Sequence, residues 1–561
     1  MRPLLQRPVR DARQFDDLHP VIARIYAARG VEGPAELDYS LRRLLPIGSL
    51  DGLTPAVELL LKHRDRRITV IGDFDADGAT STALVLRCLR QFGFPDVDYL
   101  VPNRFDYGYG LSPEIVAVAA KQSPALIITV DNGISSVSGV AAAREACIDV
   151  LVTDHHLPPR ELPQATVIVN PNLAGSEFGS GNLAGVGVAF YLMAALGRHL
   201  ENDGLAKAAR VPAQYLDLVA LGTVADVVRL DHNNRILVLQ GLQRIRAGKT
   251  VPGIRALLRI AGRNADNLVS TDLGFAVGPR LNAAGRLDDM SVGIECLLTD
   301  DEATAARLAG ELDAINHERR DIEARMREQA FAAVDSIPMA DLPSCVSLYD
   351  EGWHAGIVGL IASRVKERCH RPVIAFAQSS PEELKGSGRS VPGVHMRDLL
   401  EAVSSHAPGL IRKFGGHAMA AGLSIATADF ETFRSAVAEQ MDRIYSDADL
   451  SGAILTDGAL PGDALNLGFA RQLREAGPWG AGFPEPVFQG DFEVAEQRVV
   501  GERHLKLKVV APGAARPLDA IAFNQEHPGL RGNVRLAYRL DVNEFRGIES
   551  AQLVVEQISV L

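Results

Sequence analysis

Residues 67–80 read RITVIGDFDADGAT. The first six are a β-branched run bounded by charge and glycine, which reads as a buried strand. Asp73, Asp75 and Asp77 follow with only Phe74 and Ala76 between them. Three carboxylates so close repel one another, and Asp favours caps and turns over regular structure. Residues 78–92 then read as a helix, with Leu84, Leu86 and Leu89 recurring among small and polar residues.

The pattern repeats downstream. ALIITV (125–130), CIDVLVT (147–153) and ATVIVN (165–170) read as further strands, with helical patterns between the first three. Strands alternating with helices imply an α/β fold, a parallel sheet with helices on both faces. In such a sheet, ligands bind beyond the carboxyl ends of the strands. There the sequence places the Asp73–Asp77 triplet, Asp131-Asn132-Gly133 and Asp154-His155-His156. Asp226 in LGTVADVVRL (221–230) is a carboxylate in an apolar segment, where it needs a partner.

Carboxylates and a His converging on one crevice are ligands for divalent cations. Oxygen donors suit Mg²⁺ and Mn²⁺, and an imidazole shifts the balance towards Mn²⁺. Two cations would offset the repulsion within the triplet and activate water for attack at phosphorus. Backbone N–H groups after Gly78 would face an anion. A Ca²⁺ loop is the other reading of DxDxDG, but a strand precedes it and its twelfth position lacks the required Glu.

Composition sets wider bounds. A chain of 561 residues suggests roughly three to four domains. It is 47% hydrophobic and 23% charged, enough apolar material for several cores. Lys and Arg (58) against Asp and Glu (70) give −12, so nucleic-acid binding would depend on a local basic stripe. Five dispersed cysteines without a CxxC spacing fit free thiols in a reducing cytosol. The N-terminus has no apolar signal core and no run is long enough to span a bilayer. These features predict a cytoplasmic protein with no membrane partner, expected as a monomer.

The first ~45 residues read as helical and irregular. LVSTDLGFAVGPRLNAAGRLDD (268–289) reads as a Gly-rich loop near a site, and residues 301–336 as one long charged helix connecting domains. A second α/β unit begins near residue 342, with Gly-rich turns expected at LKGSGRS (384–390) and KFGGHAMAAG (413–422). Beyond about 450, short alternating strands predict a small antiparallel barrel, plausibly an OB-fold.

GDFDADG, TVDNG, TDHH and GTVADVVRL resemble the four successive metal-site motifs of the DHH phosphoesterase superfamily, and KFGGHAMAAG resembles the GGH motif of its DHHA1 domain. VPNRFDYGYG (101–110), VGPRLNAAGR (277–286), DEGWHAGIVGLIASRV (350–365) and KGSGRS (385–390) narrow the resemblance to its single-strand-specific 5′→3′ DNA exonucleases, over residues 40–561. The resemblance implies an N-terminal helical segment (1–45), a DHH catalytic domain (46–300), a connector helix (301–338), a DHHA1 substrate-binding domain (339–447) and an OB-like nucleic-acid-binding domain (448–561).

It also implies roles. Asp73, Asp75, Asp77, Asp131, His155 and Asp226 form the metal set, with Asp131 as the bridge; many relatives have His where Asp73 stands. Asp154 would support a His, and His156 would reach the scissile phosphate. Arg104, Arg280, Arg286 and Arg389, read as lying in loops, would contact phosphates, since Arg offers bidentate donors. Ser387 and Arg389 would hold a 5′-terminal phosphate, with Arg104 helping. Asn282, His354 and His417 are further substrate contacts, His417 at the start of a small-residue helix. The implied reaction is hydrolysis of single-stranded DNA from its 5′ end to 5′-mononucleotides with two Mn²⁺ or Mg²⁺ ions, in recombination and repair beside a helicase and a single-strand-binding protein. A narrow passage would exclude duplex; Phe105, Tyr107 or Tyr109 would stack on bases, and Arg503, Lys506 and Lys508 would give the barrel a basic strand. The competing readings are a phosphodiesterase for short oligoribonucleotides or cyclic dinucleotides, and an inactive DNA-binding relative. The barrel argues against the first, and the full set of ligand types against the second.

Overall fold

The computed structural model describes residues 2–9, 15, 17–102, 110–338, 341–446, 450–501, 504–514, 516–525 and 529–561. The chain forms two compact units: Met1–Asn282 with Met290–Gly310 and Ala453–Leu561, and Ala283–Asp289 with Glu311–Gly452. Arg104, Phe105, Tyr107, Tyr109 and Arg503 lie outside the described residues.

In the first unit, strand β1 (Leu4–Gln6) pairs in parallel with β12 (Ile454–Thr456). The parallel sheet is built from β2 (Ile68–Gly72), β3 (Val97–Leu100), β4 (Leu126–Val130), β5 (Asp149–Thr153) and β6 (Val167–Val169), in the order β3-β2-β4-β5-β6. Every residue of β2 and β4 is buried, as expected for central parallel strands covered on both faces. Each buried Ile or Val there contributes ~1.5–3 kcal/mol of transfer free energy. β3 was not apparent in the sequence; it is a short edge strand, VDYL, with only Val97 buried.

Register decides where the site lies. Gly72 pairs with Val130, Val130 with Thr153, and Thr153 with Val169. The residues that follow, Asp73, Asp131, Asp154 and Asn170, therefore leave the sheet along one carboxyl edge.

The helix Ala76–Gln91 starts at Asp75, whose side chain caps it by accepting from the N–H groups of Asp77 (2.9 Å) and Gly78 (3.0 Å). Such a cap contributes about 1 kcal/mol. The helices Gly185–Asn202 and Leu216–Ala225 pack against it.

Residues 268–289 are helical rather than the expected loop: Ser270–Asp272, a π-helical turn Leu273–Val277, and Gly278–Leu287. Arg280 and Arg286 thus stand on a helix. The glycines here permit close packing instead of breaking structure. A Cβ on Gly274 would lie 3.2 Å from Val224 Cγ1, and one on Gly278 would lie 3.2 Å from Ala225 Cβ.

The N-terminal segment joins the C-terminal region within this unit. Arg29 and Asp457 form a fully buried ion pair at 2.7 Å, and Arg29 also stacks over Trp479. The C-terminal strands β13 (Phe488–Val500), β14 (His504–Val510), β15 (Leu518–Ala522), β16 (Gly532–Phe545) and β17 (Ile548–Val560) close a barrel in the order β13-β14-β15-β17-β16, matching the expected OB-like architecture except that β15 and β17 pair in parallel, not antiparallel. Its basic strand is partly neutralised: Lys506 lies 3.6 Å from Asp519 and Lys508 3.5 Å from Glu496.

In the second unit, β7 (Val346–Tyr349), β8 (Val373–Ser380), β9 (Glu383–Arg389), β10 (Ile411–Gly416) and β11 (Ala420–Ala426) form a sheet in the order β10-β11-β9-β8-β7, parallel only between β7 and β8. LKGSGRS is strand β9, not a turn. Gly386 lets the Phe376 ring approach, since a Cβ would meet it at 2.5 Å, and Gly388 does the same for Met396 at 2.9 Å. Arg389 is therefore on a strand. His417 sits in the turn between β10 and β11 and is followed by a strand, not by the expected helix. Cross-strand pairing of Ala421 with Gly388 and Gly422 with Ser387 overrides the helical preference of that small-residue run.

Among the described residues no single helix is long and apolar enough to cross a membrane.

Candidate metal centre

The six expected ligands meet at the carboxyl edge of the parallel sheet. Three groups each present ligand atoms within 4.8 Å of one another: Asp73, Asp75 and Asp131; Asp77, His155 and Asp226; and Asp131, His155 and His156. Asp131 and His155 each belong to two of them.

Each acid arrives by a different local device. Asp73 leaves β2 directly and accepts from the Phe74 N–H (2.7 Å). Asp75 caps the helix. Asp77, inside the first turn, accepts from the N–H groups of Gly185 (2.6 Å) and Val186 (2.9 Å) at the start of another helix. Asp131 follows β4 with φ +62, a left-handed conformation that a non-glycine residue adopts at a cost of order 1–3 kcal/mol and that is common at functional sites. Asp226 ends the helix Leu216–Ala225, and Val227 after it is also left-handed, at φ +63.

The TDHH turn is pinned from several sides. Buried Asp154 accepts from the Ile134 N–H (2.9 Å), the His155 N–H (2.7 Å), the His156 N–H (3.1 Å) and His156 Nδ1 (2.7 Å). Those bonds engage both of its oxygens and fix the His156 ring. Asn170 Nδ2 donates to the His156 carbonyl (2.9 Å) and Asn172 Nδ2 to the His155 carbonyl (2.6 Å). Neither Asn figured in the sequence reading, although Asn170 follows a strand end like the acids.

The electrostatics are those of crowded, buried carboxylates. Burial, followed by repulsion from neighbouring Asp residues, holds Asp73, Asp77 and Asp131 well above the usual carboxylate range. Asp226 is raised by burial as well. Burial lowers the His155 imidazole, so its contacts with Asp131 (3.1 Å) and Asp226 (3.5 Å) are those of a neutral ring, not of an ion pair. Its buried Nε2 faces these two acids without forming a hydrogen bond among the described residues. A neutral imidazole nitrogen aimed between carboxylates fits a divalent cation, and two cations fit the two halves of the cluster. His156 behaves oppositely. Burial pulls it down, but the hydrogen bond and charge of Asp154 outweigh this and raise it to about 9, so it is an imidazolium at neutral pH.

The other expected contacts divide between the units. Buried Arg280 donates from Nη1 to the Ala276 carbonyl (2.6 Å), and Asn282 Oδ1 accepts from the Ala76 N–H (2.8 Å), tying its helix to the acidic turn. In the second unit Arg286 Nη1 donates to the Gly356 carbonyl (3.0 Å), and His354 Nδ1 accepts from the Gly356 N–H (3.1 Å). Arg389 Nη1 donates to Ser387 Oγ (2.9 Å). A Cβ on Gly359 would lie 2.8 Å from Arg389 Nη2 and 3.0 Å from Ser387 Oγ, so both side chains cover the first turn of the helix Val358–Cys369. His417 is half-buried in its hairpin. A separate cavity of 620 Å³, lined by Arg263, Phe275, Arg474, Trp479 and Phe523 among others, includes none of the cluster acids.

Comparison with known proteins agrees with this arrangement. The pattern of the DHH family, N-terminal domain, matches residues 67–223, that of the DHHA1 domain residues 342–443, and that of the RecJ OB domain residues 456–557. A protein of Dickeya dadantii named single-stranded-DNA-specific exonuclease RecJ is 53% identical over 99% of this chain and 98% of its own length. This chain belongs to the RecJ family. The RecJ of Escherichia coli is 51% identical over 97% of this chain and 96% of its own length. The crystal structure of RecJ in complex with Mn²⁺ from Thermus thermophilus is similar at a TM-score of 0.83 and 31% identity, covering 100% of this chain and 79% of that one. That of RecJ with Mg²⁺ from the same organism has a TM-score of 0.76 and 29% identity, over 100% of this chain and 78% of that one.

Proposed function

We propose that the protein is a single-stranded-DNA-specific exonuclease that uses two divalent cations, Mn²⁺ or Mg²⁺, to release 5′-mononucleotides from the 5′ end. The observation that carries this reading is the aligned edge of the sheet, where consecutive strand ends deliver acids and His to one cluster. Membership of the RecJ family along nearly the whole chain supplies the substrate class.

Asp73, Asp75 and Asp131 would hold one cation, and Asp77, His155 and Asp226 the other, with Asp131 reaching both. When held by these residues, divalent cations would supply a lowered pKa for an attacking water and offset the charge developing on the phosphoryl oxygens. The His156 imidazolium, aligned by Asp154, donates to a phosphoryl oxygen of the scissile linkage. Fixing these side chains beforehand means that little reorganisation accompanies the reaction. Ser387, Arg389 and the first turn of Val358–Cys369 form an anion site of the second unit, to which we assign the terminal 5′-phosphate. Arg280, Arg286, Asn282, His354 and His417 are assigned to positioning the strand. A helicase and a single-strand-binding protein are the partner classes consistent with this activity, in a reducing cytoplasm that suits five unpaired cysteines.

The test is a digest of 5′-labelled and 3′-labelled single strands with Mn²⁺, alongside duplex. Early release of the 5′ label as mononucleotide is expected. Release of the 3′ label first would overturn the polarity, and binding without hydrolysis would overturn the enzymatic reading.

A further inference from the structure

One stretch of the first unit carries no expected ligand yet touches the centre of the cluster. GNLAGVGVAF (181–190) leads into the helix Gly185–Asn202, and its first two helical N–H groups bond both oxygens of Asp77. The same Gly185 lies against a second acid. A Cβ built on it would stand 2.5 Å from Asp131 Cβ, 2.7 Å from its Cγ and 2.7 Å from its Oδ1. Those are rigid near-backbone atoms of a buried residue, not the end of a flexible chain. Gly185 has no left-handed φ, so approach, not backbone conformation, explains the glycine.

A second glycine acts from another helix. Gly222 lies in Leu216–Ala225, the helix that ends at Asp226. Its Cβ would meet Asp77 Oδ1 at 2.8 Å, Thr80 Oγ1 at 2.3 Å and Val186 Cγ1 at 2.8 Å. Asp77 is thus gripped from above by two amides and walled from the side by a bare helix backbone, while Asp131 is pressed by the same helix start that holds Asp77.

We propose that Gly185 and Gly222 are positioning residues that set the spacing between Asp77 and Asp131, and through it the ability of the cluster to hold two cations together. This inference rests on the two-cation reading of the site. A methyl group at position 185 moves Asp131 away from Asp77. Asp131 belongs to the Asp73–Asp75 group, and Asp77 to the His155–Asp226 group, so separating them costs simultaneous occupancy before it costs either half. A methyl at position 222 presses Thr80, Val186 and Asp77 but not Asp131, so it acts on the half containing His155 and Asp226.

The experiment is Mn²⁺ titration of the full-length protein by calorimetry, with electron paramagnetic resonance to detect spin-coupled ion pairs, on the wild type, Gly185→Ala, Gly222→Ala and Gly187→Ala. The last is the control: the atoms nearest its Cβ are all of the Leu183 side chain, with Cδ2 at 3.0 Å, and none belongs to an acid of the cluster. Wild type and control are expected to bind two ions with a coupled signal. Gly185→Ala and Gly222→Ala are expected to keep one ion and bind the second about 10- to 100-fold more weakly, the usual scale for disturbing groups that orient ligands. A wild type that binds a single ion would overturn the two-cation reading itself. A wild type that binds two, with both variants doing the same, would overturn the glycine assignment alone. Loss of fold is separated by the Mn²⁺-induced rise in melting temperature of each variant over its own metal-free form. A lowered baseline with a wild-type rise would mean that the glycines serve packing only, which also overturns the proposal; a diminished rise supports it.

Discussion

The two units present opposite kinds of preparation for a phosphate chain. At the edge of the parallel sheet the first unit gathers buried acids whose mutual repulsion is only partly offset by the neighbouring His156. In the second unit Arg389 already bonds Ser387 Oγ and the Gly388 carbonyl beside a helix start, and these bonds need no cation. The difference teaches that the first unit crowds negative charge, which cations would offset, while the second satisfies its donors with hydrogen bonds of its own. Burial lowers the pKa of Arg389, yet guanidinium stays charged at any physiological pH.

The sharpest way to break this contrast is Asp131→Ala, expected to reduce nuclease turnover by about 10³-fold or more, several kcal/mol of transition-state stabilisation. Mn²⁺ titration should show lost binding, while affinity for a 5′-phosphorylated strand in chelator should persist. Near-normal turnover in this variant would remove the metal assignment. Next, His156→Gln should lower kcat by about 10²-fold with Mn²⁺ stoichiometry unchanged, on the scale of a lost charged donor in an active site. A loss of cation binding instead would make His156 a ligand.

On the other side, Arg389→Ala should raise KM by roughly 10- to 100-fold for 5′-phosphorylated strands, as loss of charge-assisted hydrogen bonds of ~1.5–3 kcal/mol predicts. Arg389→Lys should recover only part of this, because Lys lacks the planar fork. Equal effects on strands with and without a 5′-phosphate would refute the terminal-phosphate role.

The smallest effect is on stability. Asp73, Asp77 and Asp131 have folded-state pKa values raised by burial. Their contribution is therefore fully present below the ordinary carboxyl value, about 4, and is lost as pH rises through the raised folded values. Cations reverse this loss. The stabilisation by Mn²⁺, read from melting with and without the ion, should grow as pH rises above the ordinary carboxyl value, about 4, and is about 2.7 kcal/mol at a hundredfold excess over Kd. Taking the difference cancels carboxylates such as Asp154, whose depressed pKa acts in the opposite sense. A constant difference as pH rises would contradict the charge-strained description of the cluster.

Much of the cluster was legible because its logic is local. A β-branched run followed by acids is visible in six or seven residues, and parallel strands must end along a common edge. The glycine-rich stretches misled for the same reason. In 268–289 and 384–390 the glycines look like turns, but their missing side chains admit Val224, Ala225, Phe376 and Met396 from elsewhere in each unit. His417 was misplaced because strand pairing, a non-local interaction, outweighs the helical preference of alanines. Gly185, Asn170 and Asn172 went unseen because their importance lies in which atoms they face.

The sequence by itself determined the α/β class and the barrel, since these follow from periodicity, and it placed acids and histidines at the strand ends; the choice of six among them came from the family resemblance. Tertiary structure alone decided the register that aligns Asp73 with Asp131 and Asp154, the amides that grip Asp77 and the joining of β1 to β12. Those depend on contacts between residues tens to hundreds of positions apart, and no local pattern encodes them.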